Sequence, residues 1–232
     1  MKNHHFILFK FFPIFFVFIA SFSFAQKVDV NDFNKSVNSI SLETQLQTAK
    51  LNHINRDITF NETLINVGIV QSVFLAGYIA GQYETIKNEG SFKNWHTNIG
   101  KTHFDKDSYD FNIITHVGNA HYAYLFYRSR GYTKINSFVL TTIGSTVFEF
   151  LIETVTEPPS IQDLWQTPVL GSLLGMGTES LSLYLLNRNH IITDVLGYIL
   201  NPFTILPFSY YETYTIPVVT SHYKGVSMSI SL

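Results

Sequence analysis

The sequence predicts a mainly α fold, a bundle of four or five apolar helices with a short C-terminal β hairpin or edge strand. Three observations predict it. Long apolar segments recur from Leu64 to Leu200, separated by Gly, Pro and Asn breaks. Four acids, Glu149, Glu153, Asp163 and Glu179, sit within or just beside the last two long segments, where little else is polar. The last residues switch to period two, with Val226, Met228, Ile230 and Leu232 alternating with serines, which is the strand pattern.

The chain of 232 residues opens with Lys2 and Lys10, an apolar run from Phe11 to Phe24, and the small-residue ending Ser23-Phe24-Ala25. That order is a secretory signal over residues 1–25, with cleavage expected after Ala25; a retained anchor is the rival reading. No cysteine is present, which excludes disulfide staples and thiolate chemistry. Charged residues make up only 14% of the chain and the net charge is -2. No basic stripe is available to neutralise phosphates, so nucleic acid is not an expected partner. The apolar excess must instead go into a core, a membrane or a partner, and an envelope lipid or a membrane protein is the expected one.

Residues 26–60 read as a polar lead-in with at most one short helix near Ile40, Leu42, Leu46 and Leu51. Residues 61–208 form the helical domain. Its first helix covers the uncharged run from Leu64 to Gln82, where Gly77-x-x-x-Gly81 offers a flat face for close contact. The second runs from Tyr109 to Tyr132 and the third from Ile135 to Thr156, stopped by Pro158-Pro159. Ser160 is placed to cap a fourth helix, with Asp163 near the positive end of its dipole. This helix extends to about Leu186, and Pro168 predicts a kink or a break with a restart. The last helix, Ile191 to Leu200, ends at Asn201-Pro202, and residues 209–232 form the β tail.

Several apolar segments after a signal make a multi-span protein worth testing. In that topology Arg128, Arg130, Lys134 and Arg188 would lie in exported loops, the reverse of the positive-inside bias. The last three segments would also carry acids, each costing about 2.5–3.5 kcal/mol at a bilayer centre on insertion scales. These arguments favour a bundle held at the envelope over a multi-span protein.

Glu149 and Glu153 are four residues apart and share a helix face. With Glu179 and with His116 they make the inventory of a carboxylate metal site, so these four are the candidate ligands of a divalent metal. Glu149, Glu153 and His116 are also the candidate catalytic groups. His116 and His121 are about 140° apart around a helix, so only one is expected to join that centre. The competing account is a buried polar network in which Arg128 and hydroxyl groups satisfy the acids. Asp105 and Asp107 form an oxygen-ligand pair on a loop, or a solvated turn. Arg188-Asn-His190-Ile-Ile-Thr-Asp194-Val-x-Gly197 looks like the last signature of the lipid phosphate phosphatases, with His190 and Asp194 one turn apart. The two other signatures of that superfamily do not occur here, which leaves a capped helix start.

A set of residues taken together resembles an uncharacterised family of exported bacterial proteins, domain of unknown function 3943. The set is Asp105 and Asp107, Asn112, His116-x-Gly118, Tyr122, Arg128, Gly131, Glu149, Glu153, Pro159-Ser160-x-x-Asp163-Leu164, Thr167-Pro168, Gly171 and Glu179. This chain departs from the pattern in having His116-Val117 where His-Pro is common, and in its short C-terminal part. The resemblance implies an envelope protein and gives no activity, so the chemistry rests on the residues.

Two functional readings follow. The first is a non-catalytic envelope protein that binds a lipid-like ligand or a partner. Its polar network would be Asn112, His121, Tyr122, Arg128, Ser160, Asp163, Glu179, His190 and Asp194. The alternative is a hydrolase of membrane lipid or phosphoester using Glu149, Glu153 and His116, with a divalent metal.

Overall fold

The computed structural model describes residues 48–104, 112–188, 190–206 and 209–216. A strand β1 (Thr48–His53) leads into the long helix α1 (Phe60–Gly81), followed by the short helices α2 (Tyr83–Glu89) and α3 (Phe92–Asn98). A π-helical segment, Asn112–Val117, continues into α4 (Gly118–Ser129). Next comes α5 (Lys134–Val147), extended by a π segment, Phe148–Ile152, and a 3-10 turn, Glu153–Val155. Helix α6 (Ile161–Leu186), helix α7 (Ile191–Leu200), a 3-10 turn (Pro202–Ile205) and β2 (Tyr211–Ile216) complete the chain. The fold is the expected helical bundle with one small sheet. The signal segment, Asp105, Asp107 and the alternating residues Val226 to Leu232 lie outside the described residues.

Helix α4 is the hub. Its residues Ala120, Ala123, Tyr124, Leu125, Phe126 and Tyr127 are buried, and Val70 and Phe74 of α1, Tyr132 and Phe203 pack around them. Gly131 closes α4 with φ at 89°, a left-handed conformation that a side chain resists. Around it the Tyr132 N–H donates to the Tyr127 carbonyl and the Gly131 N–H to the Arg128 carbonyl, a Schellman ending.

Helix α6 lies on α4 through Gly171 and Gly175. A Cβ at Gly171 would fall 2.9 Å from the Val117 carbonyl oxygen, and one at Gly175 2.5 Å from the Tyr124 ring. The close-contact glycines are therefore those of α6. Gly81 lies exposed at the end of α1, which packs instead through Asn66, Val70 and Phe74. Pro168 neither breaks nor restarts α6, which stays helical from Ile161 to Leu186 with Pro168 buried. The hydrogen bond that proline cannot donate is the local cost, and packing against the bundle overrides it.

At Leu51 the lead-in is strand and not helix, while Ile40, Leu42 and Leu46 lie outside the described residues. β1 pairs antiparallel with β2, with Thr48 opposite Ile216 and His53 opposite Tyr211. The β tail thus finds its partner at the other end of the chain. Asn187 at the end of α6 ties this sheet to the bundle by accepting from the Leu51 N–H at 2.6 Å and donating to the Leu51 carbonyl at 3.0 Å.

Polarity is inverted in the two long central helices. The buried residues of α5 are Ser137, Thr141, Gly144 and Ser145, and those of α6 are Asp163, Thr167, Pro168, Gly171, Ser172, Gly175, Glu179 and Ser182. Their exposed faces carry Ile135, Val139, Ile143, Trp165, Leu173, Leu174, Leu181 and Tyr184. Three spans, Phe60–Gly81, Lys134–Val155 and Ile161–Leu186, are long and apolar enough to cross a membrane, and their most apolar windows are only 17%, 28% and 28% buried.

The glycine contacts make a direct test. Gly175→Leu should lower stability by about 1–3 kcal/mol, the usual cost of overpacking. Gly177→Ala, where a Cβ meets nothing within 4 Å, should be neutral or stabilising by about 0.5–1 kcal/mol through helix propensity. Thermal unfolding of both variants checks this. Equal melting temperatures would show that α4 and α6 do not depend on that contact.

Candidate functional site

The polar residues form two centres at opposite ends of α6. At its C-terminal end Arg128, buried at the end of α4, donates from Nε to both Glu179 oxygens at 2.8 and 3.0 Å. Its Nη1 donates to the Tyr132 carbonyl and to Asn55 Oδ1. Glu179 also accepts from the Tyr211 hydroxyl at 3.1 Å, and Asn201 donates to that same hydroxyl oxygen at 3.1 Å. His53 donates from Nε2 to the Arg128 carbonyl at 2.6 Å and meets the Tyr211 ring edge-on. Burial, then the nearby guanidinium, holds the His53 imidazole down at about 4. Burial and the Glu179 charge push the Tyr211 hydroxyl well above its ordinary value. This centre is electrically balanced and stitched to both strands.

The second centre lies at the N-terminal end of α6, beside the Pro158-Pro159 turn. The His116 Nδ1 is 3.8 Å from Glu149 Oε1. One ligand atom each from His116, Glu149 and Asp163 lie within 4.8 Å of one another, and all three residues are buried. The backbone N–H of Ser160 donates to Glu149 Oε2 at 3.2 Å. The Ser160 hydroxyl accepts from the Asp163 N–H at 3.2 Å, the N-cap bond of α6. Glu153 is buried one helical turn beyond Glu149. Together with His103, Glu157 and Pro158, these residues enclose a cavity of about 10 Å³, with room for about one water molecule.

Both π segments fall here. One carries His116 and the other Glu149. A π turn widens the helix and re-aims its side chains, and such turns gather at functional sites. The carbonyls at the widened end of α5 find donors in α3 and the residue before it. Trp95 Nε1 donates to the Leu151 carbonyl at 3.2 Å, Asn98 Nδ2 to that of Thr154 at 3.1 Å, and the Ser91 N–H to that of Val155 at 3.3 Å. His103 is held by backbone bonds to Pro159 and Ile161.

The candidate residues therefore divide. His116, Glu149, Glu153, Ser160 and Asp163 come together, whereas Glu179 leaves that set to pair with Arg128. His121 faces elsewhere and bonds Thr178 Oγ1 at 2.8 Å, with Tyr122 beside it. His190 is exposed and caps its own helix, accepting from the Ile192 N–H at 3.3 Å; Asp194 lies in the first turn of that helix. Asn112 begins the π segment that carries His116. Two lining residues, His103 and Glu157, were not singled out from the sequence. Their signal was adjacency to marked motifs, His103 beside Asp105 and Glu157 before Pro158-Pro159.

A helical bundle with inverted polarity, one balanced ion pair and one acid-rich centre defines an apolar α-helical protein with a buried polar interior. Within that class, residues 101–203 match the model for Domain of unknown function (DUF3943), the family this chain resembles. Neither a curated protein nor a solved structure matches the chain.

The balanced centre yields two expectations. Glu179→Ala leaves Arg128 charged and buried without its carboxylate, and should destabilise by about 3–5 kcal/mol in thermal unfolding. A loss under 1 kcal/mol would mean the pair is not buried. For His53, the depressed folded value means the unfolded chain takes up a proton first as pH falls. Stability should be complete above pH 6.5 and decline as the pH falls toward about 4. A His53→Gln variant should lose that part of the slope in melting curves taken across this range.

Proposed function

We propose that the protein is an exported integral membrane protein of the cell envelope, whose outer face binds lipid acyl chains and whose polar interior is not an active site. The inverted polarity of α5 and α6 carries this reading. Burying one Leu or Ile side chain contributes about 1.5–3 kcal/mol in water, yet α5 and α6 bury hydroxyls, glycines and acids and turn their large aliphatic side chains outward. Small and polar residues at helix contacts with apolar residues outside are the arrangement a bilayer selects. A helix of 22 residues, as in α1, rises about 33 Å, against about 30 Å of hydrocarbon core.

The two arguments against insertion lose force on the same observations. Glu149, Asp163 and Glu179 point inward, away from lipid, as membrane acids do. Arg128 is committed to Glu179, and Arg130 lies 3.5 Å from Glu62. Export is supported by Lys2, Lys10, the apolar run to Phe24 and the small-residue ending at Ala25.

Alkaline carbonate extraction of membranes from expressing cells tests this. The chain should stay in the pellet and be released only by detergent. Release by carbonate alone would show a peripheral protein and end the reading.

A further inference from the structure

We propose that His116, Glu149 and Asp163 bind one divalent first-row transition-metal ion, the zinc or manganese class, in the enclosed cavity beside the Pro158-Pro159 turn. The inference goes beyond membrane insertion and does not depend on it. The donor set is one imidazole nitrogen and two carboxylates, from three separate segments, with the three ligand atoms within 4.8 Å of one another. The 3.8 Å between His116 Nδ1 and Glu149 Oε1 suits two ligands each about 2.1 Å from a shared ion at a wide angle. Tetrahedral ligands at that bond length stand about 3.4 Å apart, so a pair at the 4.8 Å limit closes by about 1.4 Å on binding, within reach of side-chain rotation.

A second observation is independent of the acids. Ser145 and Thr167 are 3% and 6% exposed, and the hydroxyl of each has no hydrogen-bond partner among the described residues. Each lies one helical turn from a proposed ligand, Ser145 before Glu149 and Thr167 after Asp163. Both line a second cavity, of about 20 Å³, whose wall includes His116 and Glu149. A buried hydroxyl without a partner is destabilising, and two of them lining one water-sized space together with His116 and Glu149 fit a water carried by an ion that those two residues hold. The surrounding contacts also suit a metal: the Ser160 N–H hydrogen-bonds Glu149, which fixes the orientation of a ligating carboxylate. The imidazole favours zinc over calcium and magnesium, which take all-oxygen sets, and the two carboxylates also admit manganese.

Full-length protein, purified in detergent and stripped with chelator, should bind one Zn²⁺ or Mn²⁺ per chain in titration calorimetry, with no comparable Mg²⁺ uptake. The bound ion should raise the melting temperature of the wild type. Asp163→Asn keeps the backbone N–H that caps α6 and should weaken binding at least tenfold with the far-ultraviolet dichroism unchanged. His116→Gln should do the same and carries the test if Asp163→Asn does not fold. Absence of stoichiometric binding to folded wild type overturns the proposal. So does wild-type affinity in the folded variants, which would place the ion elsewhere on the chain.

Discussion

The approach of α6 to α4 through Gly171 and Gly175 is the constraint on which the rest of the structure depends. With no side chain at either position, α6 rests directly on Ala120, Tyr124 and the backbone of the preceding turn. That contact fixes the rotation and the axial position of α6 together. Asp163 is then opposite His116 at one end, and Glu179 opposite Arg128 at the other. A helix free to slide by one residue would turn by about 100° and lose both centres at once. The glycines position the chemistry without taking part in it.

Much of this was legible in the sequence, and the parts that were not share a physical cause. Helix spans could be read because apolar runs end at strong breakers. Pro158-Pro159 and Asn201-Pro202 mark real ends, and Ser160 caps α6 as its spacing from Asp163 suggests. Which acids meet was not legible, because the answer depends on helix packing rather than on spacing. Glu179 lies 16 residues beyond Asp163, about 24 Å along one continuous helix, and no pattern within the segment places it with Arg128 instead of His116. The π segments are equally silent in sequence, since they follow from tertiary fit. β1 was hidden for a third reason. Thr48-Ala-Lys-Leu-Asn-His53 has little apolar alternation, and its strand conformation comes from pairing with β2 and from Asn187, both distant in the chain.

Inverted polarity connects the packing to the chemistry. Hydroxyl and glycine faces let α5 and α6 approach closely, and they also surround the acids with small groups in place of a dry aliphatic wall. Along α5, Ser137, Thr141, Ser145, Glu149 and Glu153 recur every four residues and are all buried. A single inward stripe thus begins as packing surface and ends as a charged site. Apolar side chains take the opposite face. The same sequence feature, polar residues spaced by helical turns within an apolar run, serves both purposes.

The two polar centres differ in charge balance, and that difference decides which of them calls for a ligand. Arg128 and Glu179 neutralise each other, and their remaining donors and acceptors are met by Tyr132, Asn55, Tyr211 and Asn201. Such a centre has no electrostatic reason to recruit a cation, although Asn201 Oδ1 there has no hydrogen-bond partner among the described residues. At the other end His116 faces Glu149, Glu153 and Asp163, with Glu157 and His103 at the rim. There the carboxylates outnumber the basic groups, and their repulsion in a low-dielectric interior is poorly screened. Only protons or a cation can remove that excess. Protons would suffice for the adjacent Glu149 and Glu153 carboxyls. They would do nothing for the hydroxyls of Ser145 and Thr167, which line a neighbouring cavity with His116 and Glu149, whereas a cation held by that pair can carry a water toward them.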